Sequence, residues 1–401
     1  MIWEQIRSNQ MRSALMVILM GVLLLLIGYF LGLSLLDSAI GGLLIALIVW
    51  AIMTLIAFFQ GDSILLSISQ ARKIGPQDHP RLYNVVEEMK VASGLQKMPD
   101  VYIIDDPAMN AFATGRSSDK ASVAVTSGLL QKLNRDELQG VVAHEISHIN
   151  NRDVLLMSIC AVMLGTIVLL SYYASRFMLF GGMTRSRRSS SGGGGAQIVV
   201  LVIALALMIL APIMAQLIYF AISRRREYLA DASAVQYTRY PEGLASALEK
   251  LAGSKEQLKS ANKATAPMFI INPFRSKGLS ASDLTSTHPP ISERIRILKA
   301  MSGASYKDYD IAYKSVKGRS ALPQSAMLTS DAIPLRPASA GDSEGTQTEV
   351  ARARETSEAM WHSANYSTVN CECGTRFRIP PGFKSSQFIC PHCGRLNKVN
   401  L

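Results

Sequence analysis

The pentapeptide His144-Glu145-Ile146-Ser147-His148 carries the residue types that a metal-dependent hydrolase needs. Residues four positions apart in an α helix lie on the same face, so His144 and His148 could present two imidazole nitrogens to one metal ion. Glu145 could take a proton from a water molecule on that metal and pass it to a leaving amine. The alternative is a surface helix with two incidental histidines, because so short a pattern also arises by chance.

A catalytic zinc ion needs a third protein ligand, with the fourth position left for water. The best candidate is Glu227, and Asp231, one turn later, could hydrogen-bond the outer nitrogen of a ligand histidine. Taken alone, this acidic pair is more typical of a solvated helix face than of a metal site. Its position favours the ligand role: the histidines end just before the third apolar run and Glu227 follows the fourth, so an even number of membrane crossings returns Glu227 to the side of the histidines.

Four apolar runs punctuate the chain, and hydrophobic residues make up 49% of it. The runs are 14–36, 39–60, 154–174 and 198–222. Basic residues flank the first pair on its outer sides, so both of its ends are expected in the cytoplasm. The second pair encloses a basic Ser/Gly-rich linker, which would then lie outside the cytoplasm. The sequence leaves open whether that pair spans the membrane or re-enters it.

Near the end of the chain, cysteines stand as two close pairs, each followed by glycine. This spacing indicates thiolates that hold a structural zinc ion in a small zinc-ribbon-like module, rather than a disulfide framework. The four predicted ligands are Cys371, Cys373, Cys390 and Cys393. The sequence therefore predicts one catalytic zinc ion and one structural zinc ion.

These features predict a mainly α integral membrane protein with a small α+β metalloprotease core and a C-terminal zinc ribbon. The net charge of +11 is explained by basic loops held on the cytoplasmic side of a membrane. The sequence lacks a stripe of basic residues interleaved with aromatic ones, so nucleic-acid binding is not expected. The expected divisions are a transmembrane hairpin (1–74), the metalloprotease domain (75–314, with an apolar hairpin at 154–222), a disordered linker (315–365) and the ribbon (366–401).

Beyond the metal motif, the sequence resembles the HtpX-type membrane proteases of the CAAX-prenyl-endopeptidase superfamily, over roughly residues 1 to 300. The matching stretches, besides 144–148 and Asp153, are 110–115, 123–130, 136–138, 225–231, 287–290 and 293–295. The resemblance implies a gluzincin-like core with His144, His148 and Glu227 as zinc ligands and Glu145 as general base. It also implies endoproteolysis of membrane or misfolded proteins in quality control, in the bacterial inner membrane with a cytoplasmic active site. The extension after residue 315 departs from the family pattern.

Two further segments have candidate roles beside the metal. Asn110, Ala111, Phe112 and Ala113 are expected to form a strand whose free edge holds the substrate backbone; an ordinary internal strand is the alternative, and the resemblance favours the edge. His288 precedes two prolines, and it could either stabilise the oxyanion of the reaction or cap the following helix.

Two other functions compete with a protease of membrane or unfolded proteins. One is a membrane-anchored adaptor that recruits partners through the ribbon while the protease core is vestigial, although the complete set of metal-site residues argues against it. The other is a specialised prenyl-protein peptidase, against which the short membrane region argues. The partner of the ribbon is left open.

Overall fold

A computed structural model describes residues 2–180, 194–254, 256–259, 269–271, 289–322, 332–339 and 345–399. Its helices are α1 (Ile2–Leu35), α2 (Ala39–Ile68), α3 (Pro80–Ser93), α4 (Ser127–Lys132), α5 (Arg135–Asn150), α6 (Asp153–Phe180), α7 (Gly194–Thr238), α8 (Pro241–Gly253), α9 (Ile291–Lys299), α10 (Tyr306–Lys317) and α11 (Gly345–Ser363). Its strands are β1 (Arg72–Ile74), β2 (Asp100–Ile104), β3 (Ala111–Ser117), β4 (Lys120–Thr126), β5 (Ser367–Asn370), β6 (Arg376–Ile379), β7 (Gln387–Ile389) and β8 (Leu396–Lys398).

Three helices in the described part of the chain are long and apolar enough to cross a membrane. They are α2 along its whole length, Val17–Ser34 of α1 and Asp153–Arg176 of α6. Large apolar side chains on α1 and α2 point outward, as a lipid environment requires, and Ile48 for example is 57% exposed. The predicted mainly α membrane fold is therefore confirmed, together with the first, second and third apolar runs as helices.

Glycines allow α1 and α2 to pack closely on either side of the turn that joins them. A Cβ atom on Gly28 would lie 2.3 Å from the Cβ of Ala46, and one on Gly42 would lie 2.1 Å from the carbonyl oxygen of Gly28. Without those side chains the two backbones approach each other, which is how membrane helices gain van der Waals contact in lipid. The hairpin is thus held by shape rather than by polar groups.

The fourth apolar run is part of α7, a 45-residue helix that continues far beyond it. The run includes a shorter apolar stretch, Val202–Leu217, and Pro212 lies within the helix. The same helix then continues into the protease domain through Glu227 and Asp231. One rigid element therefore connects an apolar stretch to a predicted metal ligand.

A four-stranded sheet in the order β1-β2-β4-β3 lies beside α5 in the protease domain. The pairs β1/β2 and β3/β4 are antiparallel, while β2 and β4 are parallel. The order places β3 at one edge of the sheet, and the predicted strand that begins near Asn110 is found there. The core between the sheet and α5 includes apolar side chains such as Val123, Val142 and Ile146, each 0% exposed.

The predicted disordered linker, 315–365, differs from the structure over the described part of that range. Residues 332–339 run across the ends of α5 and α7: Arg336 donates from Nη2 to Asp136 Oδ1 at 2.7 Å and from Nε to the carbonyl oxygen of Thr238 at 2.8 Å. The carboxylate of Asp136, 5% exposed, also accepts from the backbone N–H of Ser339 at 2.8 Å. A low-hydropathy segment is ordered here because buried polar partners bind it.

Helix α11 lies within the same range and packs against α3 and α4. Its Thr356 is 0% exposed and lies 3.4 Å from His79 Nε2, and Arg352 donates from Nε to the carbonyl oxygen of Gln131 at 3.1 Å. Residues 352, 356 and 360 are one turn apart and share a helix face. Two of these residues, Arg352 and Thr356, are polar and only Met360 is a large apolar residue, so hydropathy did not predict the docking of this face.

The C-terminal module consists of two hairpins, β5–β6 and β7–β8, joined by an edge-to-face contact of Phe377 and Phe388 with ring centroids 4.7 Å apart. It is attached to α11 directly: Arg376 forms an ion pair with Glu358, and the Arg378 guanidinium lies 5.1 Å from the Trp361 ring centroid. The ribbon is therefore held against the protease domain through α11, not suspended on a coil.

Candidate metal centre

The HEISH residues lie on α5, whose first turn is closed by a capping box. Asn134 Oδ1 accepts from the backbone N–H of Glu137 at 2.8 Å, and Glu137 Oε2 accepts from the backbone N–H of Asn134 at 2.8 Å. These bonds satisfy donors that would otherwise be orphaned at the helix start. Because α5 is regular, His144 and His148 share a face, with ring centroids 4.9 Å apart.

Helix α7 brings Glu227 to the same face from a distant part of the sequence. Its Oε2 lies 3.5 Å from His144 Nε2, and its Oε1 lies 3.5 Å from His148 Nε2. The candidate ligand atoms of the three residues all lie within 4.8 Å of one another, and all three side chains are buried. The structure therefore brings together the three residues that the sequence singled out as metal ligands.

Each histidine has a carboxylate on its outer nitrogen. His144 Nδ1 lies 3.0 Å from Asp231 Oδ1, and His148 Nδ1 lies 3.3 Å from Asp153 Oδ2. These contacts fix the tautomer and the ring orientation, so each Nε2 faces Glu227. The structure places Asp231 where the sequence analysis expected it. The sequence analysis assigned no role to Asp153. Its position five residues after His148 is the signal from which this contact could have been predicted.

Arg294 is a residue of the site that sequence reasoning missed. Its Nε and Nη2 donate to the two oxygens of Asp231 at 2.8 and 2.7 Å, and its Nη1 lies 3.5 Å from Glu227 Oε2. The side chain is 0% exposed on α9. It balances the buried carboxylates, because ionised groups in a low-dielectric interior must be paired. The only sequence signal was its place in a family motif, which did not reveal its burial.

The electrostatics of the site favour a cation beside the imidazoles. Burial alone would raise the pKa of Asp231, but Arg294 and His144 outweigh that effect and hold this pKa below its ordinary value. Burial would lower the pKa of His148, yet its contacts with Asp153 and Glu227 raise it to about 10. The raised pKa of His148 indicates a negative potential beside the imidazoles, whereas the lowered pKa of Asp231 reflects the positive charge of Arg294 next to it.

A zinc ion fits these residues. His144 Nε2 is buried and makes no hydrogen bond to any described residue, and its nearest oxygen on Glu227 is at 3.5 Å. A buried polar atom of this kind calls for a ligand or an ion. Two imidazole nitrogens and one carboxylate, each imidazole supported from behind, form a donor set typical of catalytic zinc.

The other predicted residues are placed as follows. Glu145 lies next to His144 on α5 and is 2% exposed. Ala111, Phe112 and Ala113 begin the edge strand β3, preceded by Asn110, and all four are buried. His288 lies outside the described residues, so its two predicted roles stay predictions.

The four C-terminal cysteines also converge. Two tight turns present them, each with a glycine at positive φ: Gly374 at 87° and Gly394 at 73°. Cys371 Sγ lies 3.6 Å from Cys393 Sγ, Cys373 Sγ lies 3.7 Å from Cys390 Sγ, and all four sulfur atoms lie within 4.8 Å of one another. Four thiol sulfurs in this arrangement could hold a zinc ion tetrahedrally.

Helices that can cross a bilayer, with a buried two-histidine, one-glutamate centre where they enter the protease domain, define a membrane-associated zinc metalloendopeptidase. Comparison with known proteins agrees with this class. The chain belongs to peptidase family M48, whose family model matches residues 76–302.

Curated relatives resemble the chain over most of its length. "Protease HtpX homolog" of Dictyoglomus turgidum is 43% identical over 308 residues, which are 77% of this chain and 97% of the relative. "Protease HtpX homolog" of Streptococcus pneumoniae (strain Hungary19A-6) is 44% identical over 302 residues, 75% of this chain and 100% of the relative. The solved structure of S. mikatae Ste24p aligns with a TM-score of 0.41 and 21% identity, over 74% of this chain and 66% of that chain, a likeness too distant for inference.

Replacing Asp153 by Asn should weaken zinc binding about 10–100-fold, because the amide no longer supports the outer nitrogen of His148 as an anion does. The change would be measured as zinc retained against a graded chelator series by elemental analysis of the purified protein. Asp105→Asn, at an exposed aspartate, serves as the matched control. Unchanged zinc retention in the Asp153 variant would contradict a role for this carboxylate in holding the metal.

Proposed function

We propose that this protein is a zinc endopeptidase that hydrolyses peptide bonds of membrane or membrane-proximal proteins, chiefly misfolded ones. In this proposal His144, His148 and Glu227 hold the catalytic zinc ion, and Glu145 is the general base. The lipid bilayer is the protein's environment, and unfolded or membrane polypeptides are its substrates. The relatives named as proteases support the reaction type, and the position of the metal centre supports the substrate class.

The observation that carries this proposal is the continuity between the metal centre and the membrane helices. Helix α6 begins at Asp153, whose carboxylate contacts His148, and continues as a candidate span. Helix α7 passes from its apolar stretch to Glu227 in about three turns without a break. A polypeptide that emerges from the bilayer beside these helices would therefore meet the metal centre close to the membrane surface.

The residues of the chain divide the work of peptide hydrolysis. Zinc, when bound, supplies a Lewis acid that polarises the peptide carbonyl and makes water a stronger acid. Glu145 takes the proton from the attacking water and later transfers it to the nitrogen of the leaving amine. Asp153, Asp231 and Arg294 hold the imidazoles and Glu227 in place. Residues Asn110 to Ala113 bind the substrate backbone, which pairs with them as an additional strand at the edge of the sheet. His288 donates a hydrogen bond to the developing oxyanion.

Glu145→Gln should abolish proteolysis while leaving zinc bound, because the amide cannot accept the proton and the three ligands remain. Cleavage of β-casein by the full chain in detergent should fall about 10²–10⁴-fold, with unchanged zinc content. Glu227→Ala should instead lower both zinc content and activity. Normal cleavage by the zinc-loaded Glu145→Gln protein would overturn the mechanism, and cleavage confined to prenylated peptides would favour the prenyl-protein peptidase alternative.

The active site and both termini are proposed to face the cytoplasm of a bacterium, with the spans in its inner membrane. Arg7 and Arg12 precede the first span, and Arg72 and Lys73 follow the second. Basic flanks of this kind are retained on the cytoplasmic side. Alkaline phosphatase fused after residue 71 should therefore be inactive, because that position is expected in the cytoplasm. A fluorescent protein fused at the same position should fluoresce. The reverse result would invert the topology.

The C-terminal module is proposed to hold a second, structural zinc ion and to serve as a docking surface for a partner that the sequence does not identify. Hydrogen bonds from the side chain and backbone of Thr375 lower the pKa of Cys373 to about 5, which favours the thiolate that zinc requires. The contacts of α11 hold this surface in a fixed position beside the protease domain. Metal replaces the hydrophobic core that so small a module lacks.

Replacing Cys390 and Cys393 together by Ser should release one of two zinc ions per chain and unfold the ribbon alone. Zinc content of the purified protein and proteolysis of the ribbon segment would be measured. Cys160→Ser, at the buried cysteine in α6, is the matched control and should keep both ions. Two zinc ions retained in the double variant would rule out the structural site.

A further inference from the structure

Three residues of the chain, Phe269 to Ile271, lie against the start of the edge strand β3. The backbone N–H of Ile270 donates to the carbonyl oxygen of Ala111 at 3.0 Å, and Asn110 Nδ2 donates to the carbonyl oxygen of Ile271 at 3.2 Å. The Phe269 ring packs edge-on against Phe112, with centroids 5.2 Å apart. Successive residues thus face 112, 111 and 110, so the segment runs antiparallel to β3, although its backbone bends and forms no regular strand.

The same segment reaches the metal centre through Arg294. Nη1 of Arg294 donates to the carbonyl oxygen of Ile270 at 3.3 Å and lies 3.5 Å from Glu227 Oε2. A single guanidinium therefore separates the Ile270 peptide group from a metal-binding carboxylate. The segment is almost completely buried, with Phe269 and Ile270 each 1% exposed and Ile271 7% exposed. It fills the corner between the edge strand and the metal centre, which a polypeptide must enter to be cleaved.

Hydrogen bonding along β3 indicates that this segment and a substrate strand would compete for the same backbone acceptor. The carbonyl oxygen of Asn110 accepts from the backbone N–H of Thr126 in β4, so the next residue, Ala111, directs its own carbonyl away from the sheet. That outward carbonyl is the acceptor a substrate strand would use, and Ile270 occupies it. Two consecutive carbonyl oxygens of the segment also accept hydrogen bonds from side chains of the site: that of Ile270 from Arg294, and that of Ile271 from Asn110. The backbone of a bound peptide would be held in the same way.

We propose that Phe269–Ile271 is a built-in substrate mimic, which occupies the groove between β3 and Arg294 until a polypeptide displaces it. This inference rests on the proteolytic function proposed above and adds a specificity to it. The Phe269 side chain packs with Phe112, and the Ile270 and Ile271 side chains join the apolar core of the protease domain. A displacing substrate must replace those contacts, so the groove selects an aromatic residue followed by two branched aliphatic residues.

Residues of these types favour membrane spans and are mostly shielded from water in folded proteins. A charged residue in the place of Ile270 would be rejected, because the Ile270 side chain lies in the apolar core and burial of an unpaired charge there is costly. The alternative is that the segment is a permanent wall of the site, which holds Arg294 and never leaves. The two possibilities predict opposite effects of loosening the segment.

The test uses the full chain with Glu145→Gln, so that peptide binding is measured without cleavage. The probe is a fluorescent synthetic peptide with the sequence of residues 266–273. Adding Ile270→Asp should make this peptide bind about ten-fold tighter by fluorescence anisotropy, because loss of one buried isoleucine frees the groove. Ile311→Asp, at an isoleucine 58% exposed on α10, is the matched control and should leave binding unchanged. Equal or weaker binding by the Ile270 variant with its zinc retained would show a permanent wall and overturn the proposal.

A second measurement needs no variant of the segment. The unmodified enzyme cleaving β-casein should be inhibited competitively by the unlabelled 266–273 peptide, and a peptide with Asp in the position of Ile270 should not inhibit. Inhibition that is equal for both peptides would contradict the proposed specificity. Complete absence of Glu145-dependent cleavage would refute the proteolytic function instead, while the anisotropy experiment would still decide whether the segment occupies a peptide-binding groove.

Discussion

The rest of this structure depends on one electrostatic constraint: three carboxylates and two imidazoles are buried together and must be balanced. Glu227, Asp231 and Asp153 carry negative charge into a region where at most 2–3% of each side chain is exposed. Isolated, such groups would take up protons rather than stay ionised. Arg294 compensates part of that charge, and a divalent cation between the histidines and Glu227 compensates more. The centre is thus assembled as a unit, since removing any one partner leaves another charge unpaired.

The constraint also explains why the protease domain and the membrane helices cannot be separated. The ligands come from α5 and α7, and the carboxylate behind His148 comes from the first residue of α6. Two of these three helices continue into apolar segments. A shift of α6 or of the apolar part of α7 would therefore move Asp153 or Glu227 relative to the histidines. The geometry of the metal centre is set by packing among the membrane helices as much as by the soluble core.

The C-terminal extension is joined to the same elements. The curated relatives match 75–77% of the chain, and the family model ends at residue 302. Nevertheless, Arg336 connects the start of α5 to the end of α7, and α11 packs on α3 and α4. The described part of the extension therefore contacts both ligand-bearing helices. A flexible tether, which the composition of this segment predicted, would make no such contacts.

The sequence by itself determined the features that depend on neighbouring residues. The spacing of His144 and His148, the capping box of Asn134 and Glu137, the three long apolar helices and the close cysteine pairs all follow from periodicity within a turn or a few turns. The candidate ligand Glu227 was also identified from the sequence, because the count of apolar runs constrains which face of the membrane it occupies. Local rules suffice where the partners are linked by a short stretch of chain.

Only the tertiary structure decided which distant groups meet. Nothing in the local pattern around Arg294 distinguishes a buried guanidinium between Asp231 and Glu227 from an exposed one on a helix. The contact of Ile270 with Ala111, and the docking of Thr356 beside His79, likewise join residues far apart in the chain. The physical reason is that burial and ion pairing depend on how whole elements pack. A polar residue becomes buried when a partner elsewhere satisfies it, and its own neighbours in sequence carry no record of that partner.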